Sequence, residues 1–327
     1  MLHVVSVVLF ILGAFSSVHA VTPNGPDSAA TVAVSSVSAK VAPVTVEAMP
    51  VTFPNNPDSV RFAVIGDSGT GDSAQYDLGR EMQTIHQTTD FGFVVMLGDN
   101  IYGGHSSNDF QKKFALPYKP LLDEGVKFYA TLGNHDNTDE VSYAPFNMEG
   151  HRYYTYTKGN IQFFVLDSNF MSADQLAWLK NELQKSTAEW KIAYFHHPLY
   201  SDGKRHGSDT DLRAVLEPVF EQYGVNVVFS GHDHVYERVT PQNGILYFVL
   251  GSSGKLRDGG LRKAADEAAG FDQDRCFMIM QVSGNQLYFK TISRSGEIVD
   301  SGIVKRQVPA ITATAAETSP IRQTGSH

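Results

Sequence analysis

Five short stretches of this chain place potential metal donors beside glycine or proline, each just after an apolar run. They are Gly66-Asp67-Ser68-Gly69, Gly98-Asp99-Asn100-Ile101-Tyr102, Gly133-Asn134-His135-Asp136, His196-His197-Pro198 and Gly231-His232-Asp233-His234. The donors on offer are carboxylates, imidazoles, a neutral amide and a phenol, with no thiolate. Hard oxygens mixed with imidazoles suit iron, zinc or manganese rather than a closed structural zinc cage. A carboxylate has two oxygens and can bridge two cations, and Asp99 is the natural shared donor. Two cations about 3.5 Å apart clamp the attacking and the leaving oxygen of a phosphoryl displacement. His232 and His234 alternate, so in an extended segment they point to one side.

Such a set does chemistry only if its parts reach one place. An apolar run ending in Gly-Asp reads as a buried strand, which delivers its carboxylate at the C-terminal tip, where open α/β sheets carry their chemistry. Strands are expected at 60–65, 91–96, 127–132, 191–195 and 225–229, each ending at one of the five stretches. Helices are expected at 73–87, where Leu78, Met82 and Ile85 share a face, after Ser172, and at 212–223. Ser172-Ala173-Asp174-Gln175 fits a capping box, and Lys158-Gly159-Asn160 marks a hairpin leading to Asp167. Beyond residue 234 the pattern changes to strands at 245–250, 277–282, 286–292 and 298–304, joined by tight turns. Strand–helix units followed by a mostly antiparallel run predict an α/β (α+β) domain: a two-sheet sandwich with helices outside, over 59–308.

Net charge is −9, so a basic nucleic-acid footprint is absent, and a phosphate-bearing substrate would need a local positive centre such as metal ions. The single cysteine, Cys276, excludes an intramolecular disulfide. Residues 1–20 resemble a secretory signal peptide, with an apolar core at 4–15 and small residues, Val18 and Ala20, at the positions a peptidase reads. A secreted or periplasmic protein is therefore expected, with no stable membrane partner once the signal is cleaved; an uncleaved anchor is the rival reading. Residues 21–58 read as a flexible linker and 309–327 as a disordered tail.

In this order, GDSG, GDNIY, GNHD, HHP and GHDH resemble the motifs of the calcineurin-like metallophosphoesterases. Within that superfamily the chain is most similar to the purple acid phosphatases of the small, tartrate-resistant type, over about 60–304. The superfamily's usual opening is Asp-x-His, whereas this chain has Asp67-Ser68-Gly69. The purple subgroup instead supplies a Tyr three residues after the bridging Asp, and Tyr102 stands there. The resemblance implies a four-layer αββα sandwich of two mixed β-sheets flanked by helices. It implies that Asp67, Asp99, Tyr102 and His234 hold Fe(III), and that Asp99, Asn134, His196 and His232 hold a divalent iron, zinc or manganese. The family's ligand in His-x-Pro is the first residue, which selects His196 over His197. His135 and His206 match the family's catalytic histidines near the substrate. A phenolate favours Fe(III), and a trivalent ion lowers the pKa of bound water further than a divalent one, so hydroxide persists in acid.

The implied function is a binuclear-metal acid phosphatase that hydrolyses small phosphate monoesters by attack of a metal-bound hydroxide, acting as a monomer. A phosphodiesterase or nucleotidase of the same superfamily is the alternative, and a non-catalytic metal-binding protein a third reading. Residues 167–173 are too short for the exposed restraining loop of the animal relatives, so proteolytic activation is not expected. Residues 257–274, with Gly259-Gly260 and mixed charge, read as a solvated excursion between strands, with a loop near the site as the alternative.

Overall fold

The computed structural model describes residues 44–262, 264 and 266–306. The expected signal segment, the first part of the linker and the tail from 309 lie outside the described residues. The chain opens with an edge strand, β1 (Val44–Ala48), and continues through β2 (Val60–Ile65), α1 (Ser73–Thr89) and β3 (Phe93–Met96). Two short helices, α2 (Ser107–Phe110) and α3 (Lys119–Asp123), precede β4 (Lys127–Ala130). The hairpin β5 (Tyr154–Lys158) and β6 (Ile161–Val165) leads to α4 (Ala173–Lys185), β7 (Trp190–Tyr194), α5 (Thr210–Tyr223) and β8 (Val227–Ser230). Six strands complete the domain: β9 (Tyr236–Val239), β10 (Leu246–Leu250), β11 (Glu267–Phe271), β12 (Cys276–Ser283), β13 (Gln286–Ser293) and β14 (Ile298–Arg306).

These strands form two seven-stranded mixed sheets, ordered β1-β14-β13-β12-β2-β3-β4 and β11-β9-β10-β8-β7-β6-β5. In the first, β2, β3 and β4 run parallel; in the second, β6, β7, β8 and β10 do. The remaining strands flank these parallel cores in antiparallel pairs. Strand periodicity explains why the core runs look continuously apolar. Phe62 and Val64 of β2, like Phe93 and Val95 of β3, face the layer between the sheets. Their neighbours Ala63, Ile65, Val94 and Met96 face the outer layer, where Leu78 and Met82 of α1 cover them. On the other side, Leu179 and Leu183 of α4 and Leu212, Leu216 and Phe220 of α5 cover the second sheet. The expected four-layer αββα sandwich is therefore the observed one.

Asp72, Ser172 and Asp209 cap α1, α4 and α5, each accepting from the backbone N–H three residues on. The capping box at Ser172 does not close. Gln175 instead turns its side chain to the end of β6, accepting from Asp167 N at 2.8 Å and donating to Asp167 O at 3.0 Å. The linker expected to extend to residue 58 is also corrected. Val44–Ala48 pairs antiparallel with β14, and Val44 is only 3% exposed. The excursion at 257–274 contains a strand as well, because β11 pairs with β9. Residues 245–250 begin the expected antiparallel run, yet β10 pairs parallel with β8 on one side and antiparallel with β9 on the other.

Candidate metal centre

Each of the five stretches begins within a few residues of the C-terminal end of β2, β3, β4, β7 or β8, and backbone hydrogen bonds knit the loops together. Asp67 N donates to Gly98 O at 3.0 Å, and Gly231 N donates to His196 O at 2.9 Å. The turns that aim the side chains are strained. Asp67, Asp99 and His232 have φ of 52°, 51° and 69°, in the left-handed region that non-glycine residues avoid, at a cost of about 1–3 kcal/mol each. Space is equally restricted. A Cβ on Gly133 would overlap Asp99 N and Oδ1, and one on Gly231 would overlap Asp67 Oδ2.

The seven residues read as ligands gather into two adjoining groups. In one, the Tyr102 hydroxyl lies 3.1 Å from Asp67 Oδ1 and 3.2 Å from His234 Nε2, which are 3.4 Å apart. In the other, His196 Nε2 lies 3.0 Å from Asn134 Oδ1, 3.1 Å from His232 Nδ1 and 3.5 Å from Asp99 Oδ1. Asp99 also belongs with the first group, since donor atoms of Asp67, Asp99 and His234 all lie within 4.8 Å of one another. Separations near 3 Å are the edges of a coordination polyhedron with bonds of about 2.1 Å. His196 Nδ1–H donates to Leu97 O at 2.9 Å, which leaves the Nε2 lone pair turned inward. Among the four converging atoms of that group, at most one proton remains, on His232 Nδ1. This excess of lone pairs over protons is what a cation satisfies, so the residues present fit two metal ions.

The electrostatics agree. Burial, with the Asp99 charge, raises the Asp67 carboxyl well above its ordinary range. Burial and the Asp67 and Asp99 carboxylates raise the Tyr102 phenol. Anionic donors packed together without a countercharge resist ionising, and a bound cation inverts that preference. Burial lowers His232 to about 2 and His234 to about 4, with nearby His196 adding to the first shift and Arg257 to the second. Both are thus held neutral, the form that binds metal. His197 stands beside this group with its ring 4.5 Å from that of His232, but its Nδ1 is engaged by Ser168 Oγ at 2.9 Å.

His135 and His206 stand at the mouth, and both are exposed. The His135 N–H donates to Asp99 Oδ1 at 2.9 Å, and its ring lies 4.8 Å from that of Tyr102. The His206 ring lies 4.1 Å from that of His232. Two aspartates, half-buried Asp136 and buried Asp233, brace these loops. Asp136 accepts from Gly133 N, Ile101 N and Asn100 Nδ2, and Asp233 accepts from Ser201 Oγ, His206 N and Gly207 N. The shared pocket has a volume of about 220 Å³, and Arg205 and Arg257 line it together with Asp99, Asn134 and the histidines 135, 206, 232 and 234. Sequence reasoning names neither arginine as a site residue, although Arg205 adjoins His206 and a loop near the site is one reading of 257–274. Arg257, at the start of that segment, lines the site, which agrees with the loop reading rather than with the solvated excursion.

Residues 60–236 match the family model described as calcineurin-like phosphoesterase. Purple acid phosphatase 4 of Arabidopsis thaliana is 30% identical over 274 residues, which cover 72% of this chain and 80% of the relative. Tartrate-resistant acid phosphatase type 5 of Mus musculus is 27% identical over 247 residues, covering 62% of this chain and 75% of the relative. Among solved structures, a purple acid phosphatase from yellow lupin seeds aligns with a TM-score of 0.67 at 18% identity, over 84% of this chain and 58% of that one. The anchor in the inner membrane complex of Plasmodium aligns with a TM-score of 0.66 at 21% identity, over 76% and 90%. At those identities the two structures speak to the fold alone.

Proposed function

Because this chain belongs to the purple acid phosphatases of the calcineurin-like phosphoesterase family and is a metal-dependent phosphoester hydrolase, we propose that it is a binuclear acid phosphatase acting on small phosphate monoesters. The observation that supports this most is the pair of donor groups that meet at Asp99, one with more lone pairs than protons and the other with two acidic donors packed together. In this reading Asp67, Asp99, Tyr102 and His234 hold Fe(III), and Asp99, Asn134, His196 and His232 hold a divalent iron, zinc or manganese. When bound, the two ions supply a nucleophile in acid and neutralise charge on the transferring phosphoryl group.

The chain's own residues do the rest. Leu97 O fixes the tautomer of His196, so that Nε2 faces inward. The 2.9 Å bond from His135 N holds Asp99 Oδ1 in place. The exposed His135 imidazole gives a proton to the leaving oxygen, and His206, stacked near His232, steadies the ester from the opposite wall. A pocket of about 220 Å³ takes a phosphate head group and leaves the remainder of a small ester at the mouth. The reading includes export after cleavage at Ala20, which N-terminal sequencing of the exported protein checks by finding Val21 first.

The test is hydrolysis by metal-replete protein in mild acid of p-nitrophenyl phosphate and bis(p-nitrophenyl) phosphate. Faster turnover of the monoester is expected. Much faster turnover of the diester would move the protein to the phosphodiesterases, and no turnover of either would favour the binding-protein reading.

A further inference from the structure

Two arginines at the pocket mouth have no role in binding metals. Arg205 lies on the loop from Ser201 to Gly207, and Arg257 lies on the segment that leaves β10. Their loops are strapped together. Lys204 N donates to Gly260 O at 2.8 Å, Arg262 N donates to Asp202 O at 3.1 Å, and Gly203 bridges Leu261. The backbone of Arg257 is fixed from both sides, its N–H on His234 O at 2.9 Å and its carbonyl accepting from Gly260 N at 2.9 Å. Two guanidinium groups are thus presented by one rigid rim. Neither makes a hydrogen bond or an ion pair with another described side chain, while Arg80, Arg152, Arg238 and Arg294 all have carboxylate partners.

Unpaired arginines against a metal centre are notable in a chain with net charge −9. Like charges at close range cost free energy unless an anion regularly joins them. In the proposed reading the metal ions, His135 and His206 already face the transferred phosphate of a simple monoester. The two arginines line the same pocket in addition to those groups. A guanidinium fork matches phosphate oxygens bidentately, and two forks on fixed loops suit a dianionic group.

We propose that Arg205 and Arg257 form a second anion subsite beside the metal centre, which selects phosphate esters whose leaving group carries a further phosphate. The inference rests on the phosphatase reading above. The subsite lies on the His206 side of the pocket, where His206 steadies the ester, so its contribution depends on what the organic part of the ester bears and not on the scissile bond.

A matched pair of substrates isolates the effect: the monophosphate and the bisphosphate of propane-1,3-diol, whose reacting ends are alike. With metal-replete wild type, kcat/KM for the bisphosphate should exceed that for the monophosphate on the order of tenfold or more, chiefly through KM. In the double variant Arg205→Gln, Arg257→Gln the ratio should fall to about twofold, the statistical factor for two equivalent ends. The lysine pair Arg205→Lys, Arg257→Lys should restore part of the preference. Calorimetry on the metal-loaded proteins adds a readout without turnover. Propane-1,3-diyl diphosphonate should bind wild type more tightly than propylphosphonate, and the glutamine variant should lose that difference down to the statistical factor. A wild-type ratio near two, or a variant that loses both esters equally with its ratio intact, would overturn the subsite. Failure of wild type to hydrolyse either ester or p-nitrophenyl phosphate would instead remove the phosphatase reading beneath it.

Discussion

His135 does two separable things. Its backbone N–H supports Asp99 at 2.9 Å, and its exposed ring faces the pocket. An alanine keeps the first and removes the second, so His135→Ala should retain both metals. A positioned acid contributes ~10²–10⁴-fold, so turnover of alkyl phosphates should fall by that order while p-nitrophenyl phosphate, whose leaving group needs little protonation, falls far less. Equal slowing of both substrates, or loss of metal, would pass the acid role to His206. His232→Ala should instead lose the divalent metal, read by elemental analysis, because one of the donors around His196 Nε2 disappears. The five stretches that carry the proposed ligands were legible for a local reason, since each follows the end of a recognisable buried strand; the assignment of the seven ligands, with His196 chosen over His197, came from the family resemblance. Arg205 and Arg257 were not legible as a pair. They lie 52 positions apart on two loops, and the backbone bonds between residues 202–204 and 260–262 bring them to one rim.

The strand ends hold the site through close backbone approach. Gly133→Ala places a methyl where Asp99 N and Oδ1 already sit, so the loops after β3 and β4 must separate. The variant should fold, since the turn lies outside both core layers, yet bind metal poorly; full metal content by elemental analysis would contradict this account of the turn. At the far edge of the same sheet, β1 covers β14 through register pairs from Val44–Arg306 to Ala48–Gly302. A chain shortened to begin at residue 59 should therefore unfold at a lower temperature than one beginning at 44, and should self-associate in light scattering through the bared edge. Equal stability of the two chains would make β1 incidental. The sequence hid this strand because VTVEA is five residues long and sits in a segment of similar Val, Thr and Ala content, where a short alternation does not stand out. β11 escaped notice for a related reason: EAAGF carries only one large apolar residue. The parallel strands were legible because both faces are buried, which makes each a continuous apolar run, and the three capped helices because each turns one apolar face to a sheet.

For the whole molecule, metal and fold are coupled. Crowded donors that repel one another in the absence of a cation make the metal a stabilising ligand, and binding at a thousand times Kd contributes about 4 kcal/mol. Removing the metals with a chelator should lower Tm by several degrees, read by calorimetry; an unchanged Tm would mean the donors relax without cost. A second coupling involves protons. Burial, with the charges of Asp202 and Glu267 nearby, raises Glu237 from 4.5 to about 8, only partly offset by the hydrogen bond from Asp202 N. A carboxyl that the fold keeps protonated, and the unfolded chain does not, costs stability as pH rises from 4.5 toward about 8. Glu237→Gln removes that cost, so the variant should gain on wild type through this window in thermal unfolding, and a difference that does not change with pH would refute the assignment. The central claim is that five strand ends build one centre for two metals with Tyr102 on iron. It is tested most directly by the visible absorption spectrum, recorded beside metal content, of purified wild type and Tyr102→Phe. Two metal ions per chain and a phenolate-to-iron band that vanishes in Tyr102→Phe are the expected result; a single metal, or a band that survives the substitution, would contradict the account.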